Sequence, residues 1–201
     1  MRMFIPKILG RCPWYPCLVF FAAVLAAFPV CAAPAGEGFL IGRISHVEGQ
    51  LLRYVPAERD WVATVRDAPF GMDDALYSDQ NGKAEFIMPN RTWVRIGGST
   101  QLQLIALKAD VTGVDVASGV ARFHNRSSNA LIKATTPFGY VVGQPGSAFD
   151  LYVGDESAEV ISLSGKVDFI HSGDNARYEV VQGSSSLIAD AGRVGSGEPA
   201  V

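Results

Sequence analysis

Lys83-Ala84-Glu85-Phe86-Ile87-Met88-Pro89-Asn90-Arg91-Thr92-Trp93-Val94-Arg95-Ile96 is the stretch whose reading decides the fold class. In Ala84–Met88 and again in Thr92–Ile96, alternate positions are apolar, the period of two that a half-buried strand requires. Pro89-Asn90 between them is turn chemistry. Working outward, Gln101-Leu102-Gln103-Leu104 and Lys166-Val167-Asp168-Phe169 keep the same period. So does Val111-Thr112-Gly113-Val114-Asp115-Val116, although Gly113 weakens a central strand. Turn signals separate these runs: Asp79-Gln80-Asn81-Gly82, Gly97-Gly98, Gly154-Asp155-Glu156 and Ser172-Gly173-Asp174-Asn175. Asn-Gly tolerates the positive φ angles of tight hairpins. No window from 37 to 192 makes an amphipathic helix. Many short strands with close-set turns predict an all-β fold, either a twisted β-sandwich or a solenoid-like stack.

A weak internal echo accompanies the pattern. Val47-Glu48-Gly49-Gln50, Ala117-Ser118-Gly119-Val120 and Leu163-Ser164-Gly165-Lys166 each put an apolar residue two before a glycine. Each glycine then precedes a run ending in an aromatic, Tyr54, Phe123 or Phe169. Glycine there suits a turn or bulge, and hairpins resemble one another too readily for this to establish a repeat. The β-domain is expected over 37–191, with the Gly/Ser/Pro-rich 192–201 as a flexible tail.

The start of the chain reads as an address. Arg2, Lys7 and Arg11 are followed by an apolar run to Val30, and Val30-Cys31-Ala32 offers small residues for cleavage. This is the pattern of a secretory signal peptide over 1–32, with a periplasmic destination and no stable membrane insertion after cleavage. The alternative is an uncleaved anchor in the inner membrane. Cys17–Val30 is shorter than the ~20 residues that span a bilayer, and Pro29 interrupts it. Phe28-Pro29-Val30 before Cys31 fits a lipoprotein box poorly.

Removing three of the 17 Lys+Arg with that segment leaves 14 bases against 20 acids. Such a balance argues against nucleic acid as a partner. At 48% hydrophobic and 18% charged, the chain is neither disordered throughout nor a polytopic membrane protein. Cys12, Cys17 and Cys31 all lie in the leader, so the exported part holds no disulfide, thiol nucleophile or Cys-ligated zinc.

Chemistry is sparse. His46, His124 and His171 each fall in or beside a predicted strand and are expected to face solvent or an edge. No Gly-x-Ser-x-Gly elbow occurs, and Gly183-Ser184-Ser185-Ser186 reads as a polar turn. Asp79–Gly82 lacks the alternating acids and distal glutamate of a calcium loop. Asp73-Asp74 and Asp155-Glu156 read as solvated turns. Asn90-Arg91-Thr92 and Asn125-Arg126-Ser127 match the glycosylation pattern by chance. No catalytic, cofactor-binding or metal-ligating residue is assigned, and the chain is read as not an enzyme. Arg122, His124 and Arg126, with Asn125 and Asn129, form one basic cluster against the acidic background, at a strand end. It is either a solvated hairpin tip or an anion contact.

Seven elements in order resemble the FecR-type periplasmic domain. They are a strand ending in glycine (Arg43–Gly49), Asp60-Trp61-Val62, Asp73-Asp74-Ala75-Leu76-Tyr77-Ser78 with Asn81-Gly82-Lys83-Ala84-Glu85, Thr136-Pro137, Gly146-Ser147-Ala148-Phe149, Gly165 and Gly183. The similarity spans roughly 40–190. Ser78 and Ser147 stand where the family has threonine, and Gly71 is displaced from the acidic pair. Other members open with a cytoplasmic helical segment that binds a sigma factor. Residues 1–17 are too few for one, so that role is not carried over. The resemblance implies an exported, non-enzymatic sensory or interaction module of the bacterial cell envelope. Such a module binds another envelope protein in signalling or assembly. The alternative is a periplasmic glycan- or small-ligand-binding β-domain using Trp61, Trp93, Tyr140 or Tyr152. Trp61, Trp93 and Phe149 read first as packing residues.

Overall fold

The structure is a computed structural model that describes residues 40–199. The expected signal peptide lies outside the described residues. The strands, in chain order, are β1 (Gly42–Glu48), β2 (Leu51–Val55), β3 (Asp60–Ala63), β4 (Pro69–Phe70), β5 (Ala75–Ser78), β6 (Lys83–Ile87) and β7 (Thr92–Ile96). They continue with β8 (Gln101–Leu107), β9 (Val111–Asn125), β10 (Leu131–Thr136), β11 (Gly139–Gly143), β12 (Ala148–Val153) and β13 (Ala158–Ser164). The last four are β14 (Lys166–His171), β15 (Arg177–Val181), β16 (Ser185–Ala189) and β17 (Val194–Pro199). The domain is all-β, and no helix occurs among the described residues.

Pairing sorts the strands into two sheets that share β9. Sheet A runs β4-β1-β6-β7-β9-β12-β13-β16-β17. Sheet B runs β3-β2-β5-β8-β9-β10-β11-β14-β15. Every pairing is antiparallel except β9–β10. The first half of β9, up to Ser118, belongs to sheet B, and Gly119 onward belongs to sheet A. The all-β class expected from the period-two pattern is borne out. As for the two architectures expected, sandwich or solenoid-like stack, the strands form one large open mixed sheet that folds at β9 into two layers over a common core. Alternate residues of both sheets enter one hydrophobic cluster: Ile44, Phe86, Phe123 and Phe149 from sheet A, Leu51, Leu76, Val141 and Phe169 from sheet B. Phe123 and Phe149 stack at 4.8 Å between centroids. Burying each such ring is worth about 1.5–3 kcal/mol.

The three echoed glycines have a common structural meaning. Gly49, Gly119 and Gly165 have φ of 72°, 96° and 70°. Each sits where the chain passes from one sheet to the other: β1 to β2, within β9, and β13 to β14. At Gly119 a Cβ would collide with Thr100 Oγ1 and lie 2.5 Å from Thr100 Cα. Thr100, fully buried, accepts from the Val120 amide at 2.9 Å through that same hydroxyl. Its own amide donates to Ser78 Oγ at 3.1 Å, and Ser78 Oγ donates to the Gly97 carbonyl at 2.5 Å. Ser78 and Thr100 thus satisfy backbone groups that the crossing leaves without ladder partners.

Two expectations need correction here. The stretch 192–201 is not a flexible tail throughout, because Val194–Pro199 form β17, antiparallel to β16. Its glycines serve close approach: at Gly197 a Cβ would overlap Ser186 Oγ and sit 3.0 Å from Ile188 Cδ1. His171 is not at a solvent-facing position, since its side chain is only 2% exposed. The ring is enclosed between the β14–β15 turn and the β16–β17 turn. Nδ1 lies 3.0 Å from Asp174 Oδ1 and Nε2 lies 2.8 Å from the Asp190 carbonyl oxygen.

Candidate functional site

The outer face of sheet A carries the densest set of charged groups. Register places His46 (β1), Glu85 (β6), Arg95 (β7), Arg122 (β9) and Asp150 (β12) in one row across the strands. Side chains two apart on a strand share a face, so each strand contributes one member. Arg122 grips Asp150 in a bidentate pair, Nε to Oδ1 at 2.6 Å and Nη2 to Oδ2 at 2.7 Å. That bond holds the guanidinium above its ordinary pKa. Arg95 Nε donates to Glu85 Oε2, and Ser45 Oγ donates to Glu85 Oε1 at 2.8 Å. Burial pushes the Glu85 carboxyl up, but the bonds from Arg95 and Ser45 outweigh it and leave the group below the usual range.

The next row holds Trp93 opposite His124, and the Arg126 guanidinium lies 4.3 Å from the Trp93 ring centroid. Burial, followed by the charges of Arg95, Arg126 and Arg122, pushes the His124 pKa down. His124 Nε2 is buried and has no hydrogen-bond partner. The expected basic cluster therefore exists, but as an open strand face rather than a hairpin tip. Sequence reasoning missed its partners Arg95, Glu85 and Asp150, which arrive from other strands. A signal for Asp150 was present: it stands between Phe149 and Leu151, a charge within an otherwise apolar strand.

The four aromatics proposed for ligand stacking do not come together. Trp93 and Tyr152 face outward from sheet A; Trp61 and Tyr140 face outward from sheet B. Trp61 packs against Tyr54 and Tyr77 at 5.5 and 6.3 Å. Lys133 Nζ lies 4.4 Å from the Tyr140 ring centroid. Tyr152 is 38% exposed, opposite Glu159. Phe149 is wholly buried, a packing residue as expected. Asp168, the polar member of an alternating run, is only 2% exposed because Arg177 folds over it at 2.6 Å. Asp155 and Glu156 are exposed, whereas Asp74 Oδ2 accepts from the Gly71 amide at 2.7 Å. Asn125 is buried, with its amide nitrogen donating to Ala130 and Gly143 carbonyls, and Asn90 donates to Lys108 and Thr112. Neither asparagine is free for glycosylation.

At the far end of the sandwich, β15 and β17 each pair on one side only among the described residues. A groove of about 620 Å³ runs between β15 and the β16–β17 hairpin, with Arg177, Glu179 and Ser184–Ser186 in its lining beside Tyr178, Leu187 and Val194. Val181 and Ile188 beside it are 51% and 36% exposed.

No protein-family model matches the chain, and no curated protein matches it in sequence. Among solved structures it is similar to a candidate anti-sigma factor from Parabacteroides distasonis, crystallised twice. The 1.65 Å form superposes with a TM-score of 0.53 at 17% identity, covering 62% of this chain and 59% of that one. The 2.50 Å form gives a TM-score of 0.52 with the same identity and coverage. The chain thus spans 59% of the length of those structures. At that identity the likeness shows a shared fold alone, over 62% of this chain.

Proposed function

We propose that this chain is an exported, non-enzymatic interaction module of the bacterial envelope, FecR-like in type. It engages another envelope protein in signalling or assembly. The observation that carries this reading is the far end of the sandwich, where β15 and β17 each keep one strand edge unpaired among the described residues and flank a groove of mixed polar and apolar lining. Unpaired strand edges suit addition of a partner strand, in which main-chain bonds give affinity and pockets give specificity. The fold shared with candidate anti-sigma factors supports a regulatory role. The sigma-factor-binding segment of FecR-type proteins forms no part of the proposal.

The dispersed and covered aromatics weigh against the glycan-binding alternative, which needs clustered rings beside acids. In-cell cross-linking of the tagged full-length protein, followed by mass spectrometry, tests the module reading. Reproducible capture of one envelope receptor or inner-membrane sensor is the expected result. Purification alone, or with glycan fragments only, would overturn it. Export with cleavage after Ala32 is checked by N-terminal sequencing, and a mature protein beginning at Met1 would sink that part.

A further inference from the structure

The geometry points to the outer face of sheet A around Arg95, Arg122 and Arg126 as the docking surface for an extended acidic segment of a partner protein. This rests on the interaction-module reading and names the chemistry of the partner.

The first argument is a local conflict with folding. Arg95 and Arg122 are direct cross-strand partners. Like charges directly opposite destabilise a sheet, so the fold gains nothing from this pair. Glu85 and Asp150 sit on the outer sides and relieve the repulsion, yet they lie low. Their side chains are 16% and 7% exposed, against 50% and 47% for Arg95 and Arg122. The surface a partner meets is therefore guanidinium, with the carboxylates beneath it. Arg66 and Lys83 line, with Arg95, a recess of about 530 Å³ whose one acid is Glu85. Arg66 and Lys83 each have an exposed acid 3.6 Å away at its rim, Asp67 and Glu48 respectively. This basic face runs against a net acidic chain.

The second argument is donor capacity. Arg122 uses Nε and Nη2 on Asp150, and Arg95 uses Nε on Glu85. A guanidinium has five N–H donors in a planar fork, so both retain donors suited to bidentate capture of a carboxylate. Arg126 adds a third guanidinium, its Cζ 4.3 Å from the Trp93 ring centroid.

The third argument is spacing. Arg122 and His124 are alternate residues near the end of β9, about 6.8 Å apart, and Arg126 lies one residue beyond the strand, over Trp93. The spacing within β9 is also the repeat of alternate side chains in an extended peptide. A segment with acidic residues at alternate positions, lying along β9, meets Arg122 and Arg126 at positions four apart, with His124 between them. The face is open, and Arg126 covers the Trp93 ring, which suits a polypeptide better than a stacked sugar.

The test uses the full chain and a fluorescent twelve-residue peptide of alternating Glu and Thr, read by anisotropy in low salt. A Gln-for-Glu peptide, a sulfated oligosaccharide and inorganic phosphate serve as competitors. Arg126→Gln touches no buried carboxylate, and Arg122→Gln with Asp150→Asn removes the pair without stranding a charge. Each is expected to weaken peptide binding at least about five-fold, in keeping with the loss of a charge-assisted bond. Lys133→Gln on sheet B should change it less than about two-fold. Equal affinity for the Gln peptide, or indifference to both arginine variants, overturns the proposal. Tighter, arginine-dependent binding of the sulfated sugar or of phosphate overturns its choice of occupant. A photo-cross-linker at position 126 and another at 181 separate the two readings. Capture of a partner from 181 alone refutes this face but keeps the module, whereas capture from neither refutes the module.

Discussion

Replacing His171 with phenylalanine should remove a charged clasp from the open end of the sandwich. The imidazole faces two groups that only accept: the Asp174 carboxylate at 3.0 Å and the Asp190 carbonyl at 2.8 Å. Both contacts are hydrogen bonds only if both ring nitrogens carry protons, so the geometry asks for imidazolium. The Asp190 carbonyl, followed by the Asp174 side chain, holds the histidine pKa above its ordinary value, against the opposing effect of burial. Phenylalanine keeps the ring volume but leaves the Asp190 carbonyl without its donor and removes a charge-assisted pair, a loss of about 3 kcal/mol. For a domain of this size that is about 6–12 °C in Tm. The pH dependence follows by linkage. A raised histidine pKa contributes stability that is complete below about 6.5 and is lost as pH rises through the folded value. The Asp174 carboxyl is held low by the Ala176 amide, followed by His171. Its contribution is present above the ordinary aspartate range and is lost as pH falls through its own folded value. Urea unfolding of wild type and His171→Phe between pH 4 and 9 should therefore show the largest gap near pH 5–6 and a shrinking one above 7. An NMR titration placing the His171 pKa below 6.5, or a gap independent of pH, would refute the imidazolium assignment.

Three further outcomes follow from the geometry. Gly119→Ala should cost about 3 kcal/mol in urea unfolding, combining left-handed strain with the collision against Thr100; a loss under about 0.5 kcal/mol would mean β9 does not cross between sheets there. Arg122→Gln should cost about 2 kcal/mol because it strands the buried Asp150 carboxylate, and the double change with Asp150→Asn should recover part of that; additivity of the two would deny the pair. Gly197→Val should peel β17 from β16, raising hydrogen exchange in 187–189 and leaving β9 protected; unchanged exchange would mean this edge is not built on close approach.

The class of fold is legible because strand periodicity is a local property. Every alternating run that the sequence presents, from Ala84–Met88 to Lys166–Phe169, falls in a strand of the structure. The echoed glycines were visible as well, since a positive φ leaves its mark on a single residue. What the period of two conceals is cover from a neighbouring strand. Asp168 alternates as a solvent-facing residue should, yet Arg177 closes over it. His171 looks like a strand-end residue, and a turn nineteen positions away in sequence buries it. Composition misled at 192–201, because glycine that permits flexibility in a free chain also permits tight strand packing.

Taken alone, the residues determined that this is an all-β, acidic chain with its cysteines confined to positions 12–31 and a local basic cluster at 122–126. Those properties follow from short-range alternation and from counting. Which strands became neighbours was decided only in three dimensions. Register set Arg95 against Arg122, put Glu85 and Asp150 beneath them, scattered the aromatics over two faces and left β15 and β17 as edges. Glu85 meets Arg95 across the β6–β7 hairpin, but Arg122 and Asp150 arrive from more distant strands, and a one-residue slip would turn every such side chain to the opposite face.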